Sequence, residues 1–390
     1  MTAPPHEQTH ATAPIRITLV TPGFRDDPGG VEVHTSELVR DMHALGATLD
    51  VVTARRRLRR REQHWFGDCQ VTVYPAWNIQ AMAIAPRAVL GAVRDHVHSD
   101  VLHVHSYHAT TGLAVLFSRR PTVFTPHYHG IVGHSPLARM LHPFYRYLGR
   151  LILARSDAII CVSRAEHELL VRDFPVAADK VEVIPNGVRV EELRQAQPLP
   201  IPEPVVLCVG RLEPYKGFAD VVRAFRHVPP PARLVIIGDG SQRDELQRLA
   251  CEYGLQDRIF ILGRLSDAEL RRWFRTAKIL VSMSVHEAFG MVPLEAAAAG
   301  ARVILSDIPA HREIVADFLT ATGVIVTPGD FRALATEISK QLDAAGPCET
   351  ENIPTWSAAA ARTTQIYSRL RSGLRTTYPA TSPPAPNRRS

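Results

Sequence analysis

Cysteine is scarce and unpaired. The five cysteines stand at positions 69, 161, 208, 251 and 348 with no repeated spacing. That argues against a disulfide frame or a zinc site and for a reduced interior. Long hydrophobic runs are also lacking. The most apolar stretch, LILARSDAIICV, is broken by Arg155 and Asp157, so no membrane span is expected. The opening residues, MTAPPHEQTHATAP, are polar and Pro-rich and have no apolar core of the kind a secretory signal needs. A cytoplasmic location is therefore expected. No G-x-G-x-x-G is present where the first strand meets its helix, which removes the signature of a nicotinamide cofactor. Excess charge is small, net +6, yet six arginines fall in RRRLRRR, Arg55 to Arg61. Only Trp65 and Phe66 lie close to that run, so the interleaved aromatics of a nucleic-acid protein are missing. The run reads as a solvated surface loop. An anionic lipid surface or a phosphorylated substrate is the functional alternative.

What is present fits two domains. A chain of 390 residues, 45% apolar and 22% charged, is long enough for two separate cores. From Ile15 the pattern is strand, loop, helix, repeated, as in IRITLV, TLDVVTA, VLHVHS, PTVFTP, DAIICVS and KVEVIP. That alternation predicts α/β domains built on doubly wound parallel sheets. The segment PLARMLHPFYRYLGRLILAR predicts a long helix interrupted near Pro143. The polar, Pro-rich EELRQAQPLPIPEP predicts a linker. The alternation restarts at PVVLCVG and runs to a helix from Phe331. A last helix is expected from Trp356 to Leu370. The expected divisions are a disordered segment 1–14, an N-terminal domain 15–192, a C-terminal domain 193–354, a helix 355–371 and a disordered tail 372–390.

The informative residues stand just after strands, where ligands of open α/β sheets bind. In HEAFGMVPLEAAAAG, His286 to Gly300, a loop delivers Glu287 onto a helix start, with Glu295 one turn inside. The N–H groups of Phe289, Gly290, Met291 and Val292 lie at the positive end of that helix and suit an anion. The carboxylates suit hydroxyls, so a ligand carrying phosphates and sugar hydroxyls would fit. An ordinary amphipathic helix with a Gly-rich entry reads equally well from this stretch alone. VGRLEPYKG sets Arg211 and Lys216 on a loop that opens another helix, a diphosphate site. Gly29-Gly30 lets backbone approach a phosphate, or is a plain turn. His127 in TPHYHG follows a strand and can exchange a hydrogen bond with a substrate hydroxyl, or is a loop histidine without a role. Histidines 103, 105 and 108 have metal-like spacing but no carboxylate or cysteine partner nearby, so they read as packed or cleft-lining and no metal is expected. IPNGV and IGDGS are glycine turns that either line the cleft or only join strand to helix.

Taken together, Gly29-Gly30, TPHYHG, CVSRAE, IPNGV, VGRLEPYKG, IGDGS, HEAFGMVPLEAAAAG and SDIPAHREIV resemble, in order, the large retaining glycosyltransferase family 4 of GT-B fold. The Glu287 to Glu295 spacing matches its E-x7-E motif. The likeness covers nearly all of Ile15 to Leu370. It implies two Rossmann-like domains facing across a cleft, with the last helix crossing back to the N-terminal domain. It implies a retaining hexosyl transfer from a nucleotide diphosphate sugar, GDP-mannose or a UDP-hexose, to a hydroxyl of a glycan, lipid-linked or small-molecule acceptor. Arg211 and Lys216 match the cations on the diphosphate, Glu295 the acid on the ribose, Glu287 the acid near the transferred sugar, and His127 a histidine at its reacting face. Phe289 to Val292 would hold sugar hydroxyls and phosphate, and Gly29-Gly30 would approach from the other domain. The family's accepted front-face attack passes the acceptor proton to the leaving phosphate, so no metal or other cofactor is implied. Arg189 stands where an aspartate is common after IPNGV, and Ala301-Arg302 where a proline often follows the glycine. Peripheral contact with an anionic inner membrane face is a further expectation; a nucleic-acid partner is not expected. The competing readings are a non-catalytic nucleotide- or nucleic-acid-binding protein on the same fold, and a GT-B epimerase or phosphorylase.

Overall fold

A computed structural model describes residues 14–373, apart from 25–28, 80–81, 97, 131–135, 175–179, 345 and 347–351. Nearly all of the segment 1–14 and the tail from 374 onward lie outside the described residues. Within them the apolar runs form strands. In the first half these are β1 (Arg16–Val20), β2 (Thr48–Arg56), β3 (Glu62–Phe66), β4 (Cys69–Ile79), β5 (Met82–Ile84), β6 (Val101–His105), β7 (Thr122–Thr125), β8 (Ala158–Cys161) and β9 (Val181–Val183). They lie side by side in the order β3-β4-β2-β1-β6-β7-β8-β9, with β5 on β4. The second half contributes β10 (Val205–Val209), β11 (Arg233–Ile237), β12 (Ile259–Gly263), β13 (Ala277–Ser282), β14 (Arg302–Ser306) and β15 (Gly323–Val326). Their order is β12-β11-β10-β13-β14-β15, all parallel.

Both sheets are covered on both faces, which is why their strands read as continuous apolar runs. Ile17 and Leu19 face one core and Val20 the other. Val206 and Cys208 face one core of the second sheet, Val205 and Leu207 the opposite one. The order of the second sheet is that of a dinucleotide-type fold, in which the order of strand addition reverses between β10 and β13. In such folds ligands bind outside the carboxyl ends of that strand pair. In the first sheet the reversal falls between β1 and β6. Glycines 29 and 30 and the histidine-bearing ends of β6 and β7 therefore sit at one switch point, and residues 210–217 and 283–290 at the other.

The last helix, Trp356–Arg371, crosses back onto the first sheet. Trp356, Ile366 and Tyr367 are buried in the same core as Ile17 and Leu19. Burying such side chains contributes roughly 1.5–3 kcal/mol apiece. The two crossings lie side by side: Val188 N–H donates to the Pro354 carbonyl at 2.8 Å. Only glycine fits there, since a Cβ on Gly187 would come within 2.0 Å of the Trp356 nitrogen.

Three local expectations change. The Arg-rich loop leads into an unexpected strand, β3, antiparallel to β4. Glu62 to Trp65 are exposed, so no buried alternation marked it. The two-residue Gly67-Asp68 turn, with Gly67 at φ +57, was the available signal. The helix Pro136–Arg155 runs unbroken through Pro143. Proline removes one hydrogen bond from a helix, and anchoring of Ile152 and Leu153 in the core maintains the rest. The proposed linker contains a helical turn and a half, Val190–Gln195. Val190 and Leu193 bury into the core of the second sheet, and this decides its conformation.

Candidate active site

The loop after β13 ends on Gly290, in the left-handed region at φ +103, and the helix Met291–Ala298 starts from it. Gly300, at φ +94, follows its end. Pro293 occupies the first turn, where a missing N–H costs nothing. Phe289 is buried, whereas Met291 and Val292 are partly open. Met291 packs against the core of the N-terminal sheet, so this helix start faces the other domain.

Lys216 and Glu287, 71 residues apart, meet here, with Lys216 Nζ donating to Glu287 Oε1 at 2.6 Å. Burial would raise the Glu287 carboxyl, but the Lys216 ammonium beside it outweighs burial and holds it below the usual carboxylate range. Gly217 makes the meeting possible. It sits at φ +69, and a Cβ on it would lie 2.2 Å from the Met283 carbonyl oxygen. Arg211 is exposed and donates to the Tyr215 hydroxyl at 2.8 Å. The turn after β11 supports this loop, because Leu212 N–H donates to Asp239 O at 3.0 Å and Gln242 N–H to Leu212 O at 2.8 Å. The glycines of IGDGS thus shape the cation-bearing loop.

Glu295 stands apart from the Lys216–Glu287 pair, and no cation among the described residues pairs with it. Burial first, then the charges of Glu37 and Asp267, push its carboxyl up to about 7. Glu37 belongs to the helix Gly30–Ala44 of the other domain. The start of that helix is partly covered by its own capping box. Gly29 N–H donates to Glu32 Oε2 at 3.1 Å, and a Cβ on Gly29 would come within 2.6 Å of that oxygen. Gly30 has nothing within 4 Å of its Cβ position and is the open one of the two.

His127 is buried, and its backbone lies at φ +48, a conformation most side chains avoid. Its ring lies beside His34 and His105, with His105 Nδ1 and His127 Nε2 3.3 Å apart. Burial holds all three imidazoles below their ordinary range and therefore uncharged at neutral pH. His103 is fully partnered, by Tyr367 Oη at 2.5 Å and Thr125 Oγ1 at 2.8 Å. His108 lies elsewhere, stacked on His129 at 4.8 Å. The trio 103, 105 and 108 is thus not a cluster. His34, His105 and His127 form one instead, each with a ligand atom within 4.8 Å of the others.

The two halves touch across the cleft. Ser163 Oγ donates to the Ala288 carbonyl at 2.6 Å. Glu313 accepts from the N–H groups of Arg164 and Ala165, both at 2.8 Å. His129 stacks on His286 at 5.4 Å, and His286 on Tyr215 at 4.6 Å. The loops bearing His127, Glu287, Arg211 and Lys216 therefore lie round one space.

Residues 28–192 match the family described as Glycosyltransferase Family 4, and residues 189–351 match Glycosyl transferases group 1. A glycogen synthase of Mycobacterium tuberculosis is 30% identical over 302 residues, covering 72% of this chain and 71% of that protein. The chain belongs to the family 4 glycosyltransferases of GT-B fold. A D-inositol 3-phosphate glycosyltransferase of Xylanimonas cellulosilytica is 28% identical, over 88% of this chain and 92% of its own length. Among solved structures, a sucrose-phosphate synthase from Thermosynechococcus elongatus superposes with a TM-score of 0.74 at 23% identity, covering 92% of this chain and all of that one.

For this family 4 enzyme, several cleft residues escaped the sequence reading. His34 lies inside a helix and gave no motif. Asn186 was seen only as part of a glycine turn, yet its Oδ1 accepts from His34 Nδ1 at 2.7 Å. Glu313, within SDIPAHREIV, had no visible role until it met the other domain. Arg189, an unusual residue after IPNGV, pairs with Glu37 and Asp41 at 2.5 and 2.6 Å and ties the crossing segment to the helix Gly30–Ala44. Arg56, Arg57, Arg59, Arg60 and Arg61 are exposed, whereas Arg55 is half-buried, and Arg55 and Arg56 end β2 rather than lying in a loop; Arg55 pairs with Glu62 and Arg61 with Asp95, both at 3.3 Å. Among the described residues no helix is long and apolar enough to cross a membrane.

Proposed function

We propose that this glycosyltransferase is a retaining enzyme that moves a hexosyl group from GDP-mannose or a UDP-hexose to a hydroxyl of a glycan, lipid-linked or small-molecule acceptor. The observation that carries this reading is the Lys216–Glu287 pair at the mouth of a helix N-terminus, with Arg211 on the same loop. As the sugar–phosphate bond breaks, the leaving nucleoside diphosphate gathers negative charge. Two cations and a helix N-terminus stabilise that state more than the ground state. Lys216 then shifts from Glu287 towards phosphate, and Glu287 accepts from hydroxyls of the transferred sugar. Glu295 reads the ribose, the N–H groups of Phe289 to Val292 hold hydroxyls and phosphate, and Gly30 approaches from the opposite helix. His127 faces the sugar. The acceptor oxygen bonds to the anomeric carbon on the face the phosphate leaves, and the acceptor proton passes to the departing phosphate oxygen. No metal takes part in this scheme.

The name of the Xylanimonas relative carries a phosphorylated acceptor. This suits an acceptor with negative charge, for which the exposed arginines among Arg55–Arg61 offer countercharge. The test is a thermal-shift panel of nucleotide sugars followed by NMR of the product's anomeric centre. A ligand at a hundredfold excess over its Kd adds roughly 2.7 kcal/mol to stability. A shift with one nucleoside diphosphate class and a retained anomer support the reading. No shift with any of them, or an inverted product, overturns it. Nucleotide binding without transfer would favour the non-catalytic alternative.

A further inference from the structure

We infer that His34, His105 and His127 form a binding site for a transition-metal dication of the zinc class, set in the wall of the cleft. The three side chains come from three segments: the helix after β1, the end of β6 and the second residue after β7. Each has a ligand nitrogen within 4.8 Å of the other two. Two nitrogens held by one zinc at about 2.0–2.1 Å, at the tetrahedral angle, are about 3.4 Å apart. His105 Nδ1 and His127 Nε2 are already at 3.3 Å, long for a hydrogen bond and close to that span.

The surroundings fit ligands better than they fit a closed hydrogen-bond network. His34 Nδ1 donates to Asn186 Oδ1 at 2.7 Å, which leaves its Nε2 with a lone pair. An oxygen on the far nitrogen is the arrangement that orients metal-bound histidines. His105 Nε2 is buried with no hydrogen-bond partner among the described residues, so no neighbour fixes the tautomer of this ring, and Nδ1, the nitrogen that faces His127, can present its lone pair. His103, tilted against His105 with ring centroids 4.1 Å apart, has both nitrogens satisfied and serves as a wall. Three imidazoles with no carboxylate select zinc, cobalt, nickel or copper over magnesium or calcium. A zinc-class ion held by three histidines keeps a fourth position for water or a substrate hydroxyl.

Filling the site takes the His127 lone pair away from the sugar, so the metal acts as an inhibitor. That consequence rests on the glycosyl-transfer reading; the site does not. The full-length protein, stripped with chelator, is titrated with Co2+ and Zn2+. Tetrahedral d–d absorption and one equivalent of Zn2+ by calorimetry are expected, undisturbed by excess Mg2+. Asn186→Ala is expected to weaken Zn2+ binding roughly 10–100-fold, as loss of an orienting partner does. His34→Gln and His105→Asn are expected to abolish it. Circular dichroism of each metal-free variant separates ligand loss from misfolding, and Asn186→Ala alone decides if a histidine variant does not fold. Absence of stoichiometric Zn2+ binding, or binding unchanged in every folded variant, overturns the site. Zn2+ that binds without lowering transfer or displacing the sugar nucleotide leaves the site standing and overturns the inhibition.

Discussion

Changing Glu295 to Gln separates what this carboxylate costs the fold from what it does for a ligand. Burial and the nearby Glu37 and Asp267 move its carboxyl from 4.5 to about 7. At about 1.36 kcal/mol per unit that is roughly 3 kcal/mol of strain in the ionised form. Glu295 is only partly buried, so solvent screening trims this to about 2 kcal/mol. The sign follows from proton counting. The unfolded chain releases this proton near 4.5, whereas the folded protein keeps it to about 7. Between those values the unfolded state binds fewer protons, so stability falls as pH rises, and it is flat above. Glutamine does not titrate. Glu295→Gln is therefore expected to be about 2 kcal/mol more stable than the parent at pH ~8, with that gain gone at pH ~4.5. Urea unfolding of both proteins at the two pH values measures it, and taking the difference cancels the other titrating groups, the buried Glu166 carboxyl included, which burial pushes up to about 8. If Glu295 reads the ribose, the same variant binds nucleoside diphosphate roughly tenfold or more weakly, the value of a hydrogen bond to a charged group. A stability gap of equal size at both pH values refutes the electrostatic argument, as does a variant less stable than the parent at the higher pH.

Three other outcomes are expected. Lys216→Met removes the cation proposed to hold the diphosphate and takes from Glu287 its Lys216 countercharge; kcat/KM is expected to fall at least ~10-fold, with unchanged steady-state kinetics counting against the scheme. Gly217→Ala forces a Cβ onto the Met283 carbonyl and an alanine into φ +69. It should cost more than ~1 kcal/mol in denaturant unfolding and displace the Lys216 loop, and a neutral result would contradict the packing. Replacing Arg57, Arg59 and Arg60 together by alanine should raise the acceptor KM and leave the donor KM alone; an unchanged acceptor KM dismisses the anionic-acceptor idea.

Much of the architecture was legible because it rests on short-range rules. Apolar runs of four to six residues between turn signals located most of the strands. A glycine after Ala299 ended the Glu-bearing helix as left-handed glycines do. Strand β3 escaped because it buries almost nothing, and Pro143 misled because a local breaker was overruled by packing elsewhere on its helix.

The chain's order alone fixed which residues follow strand ends, since a parallel sheet must carry its ligands there. It determined that Arg211, Lys216, Glu287, Glu295, Gly30 and His127 stand at such positions. It was silent on which of them touch. Only the tertiary structure decided that Lys216 pairs with Glu287 across 71 residues of sequence, while no cation among the described residues pairs with Glu295. It alone drew His34, Asn186, His105 and His127 together from four separate segments. The reason is the range of the forces: helix, strand and turn signals act over a few residues, whereas desolvation and charge pairing depend on distances in space, which exist only once both sheets are folded and docked.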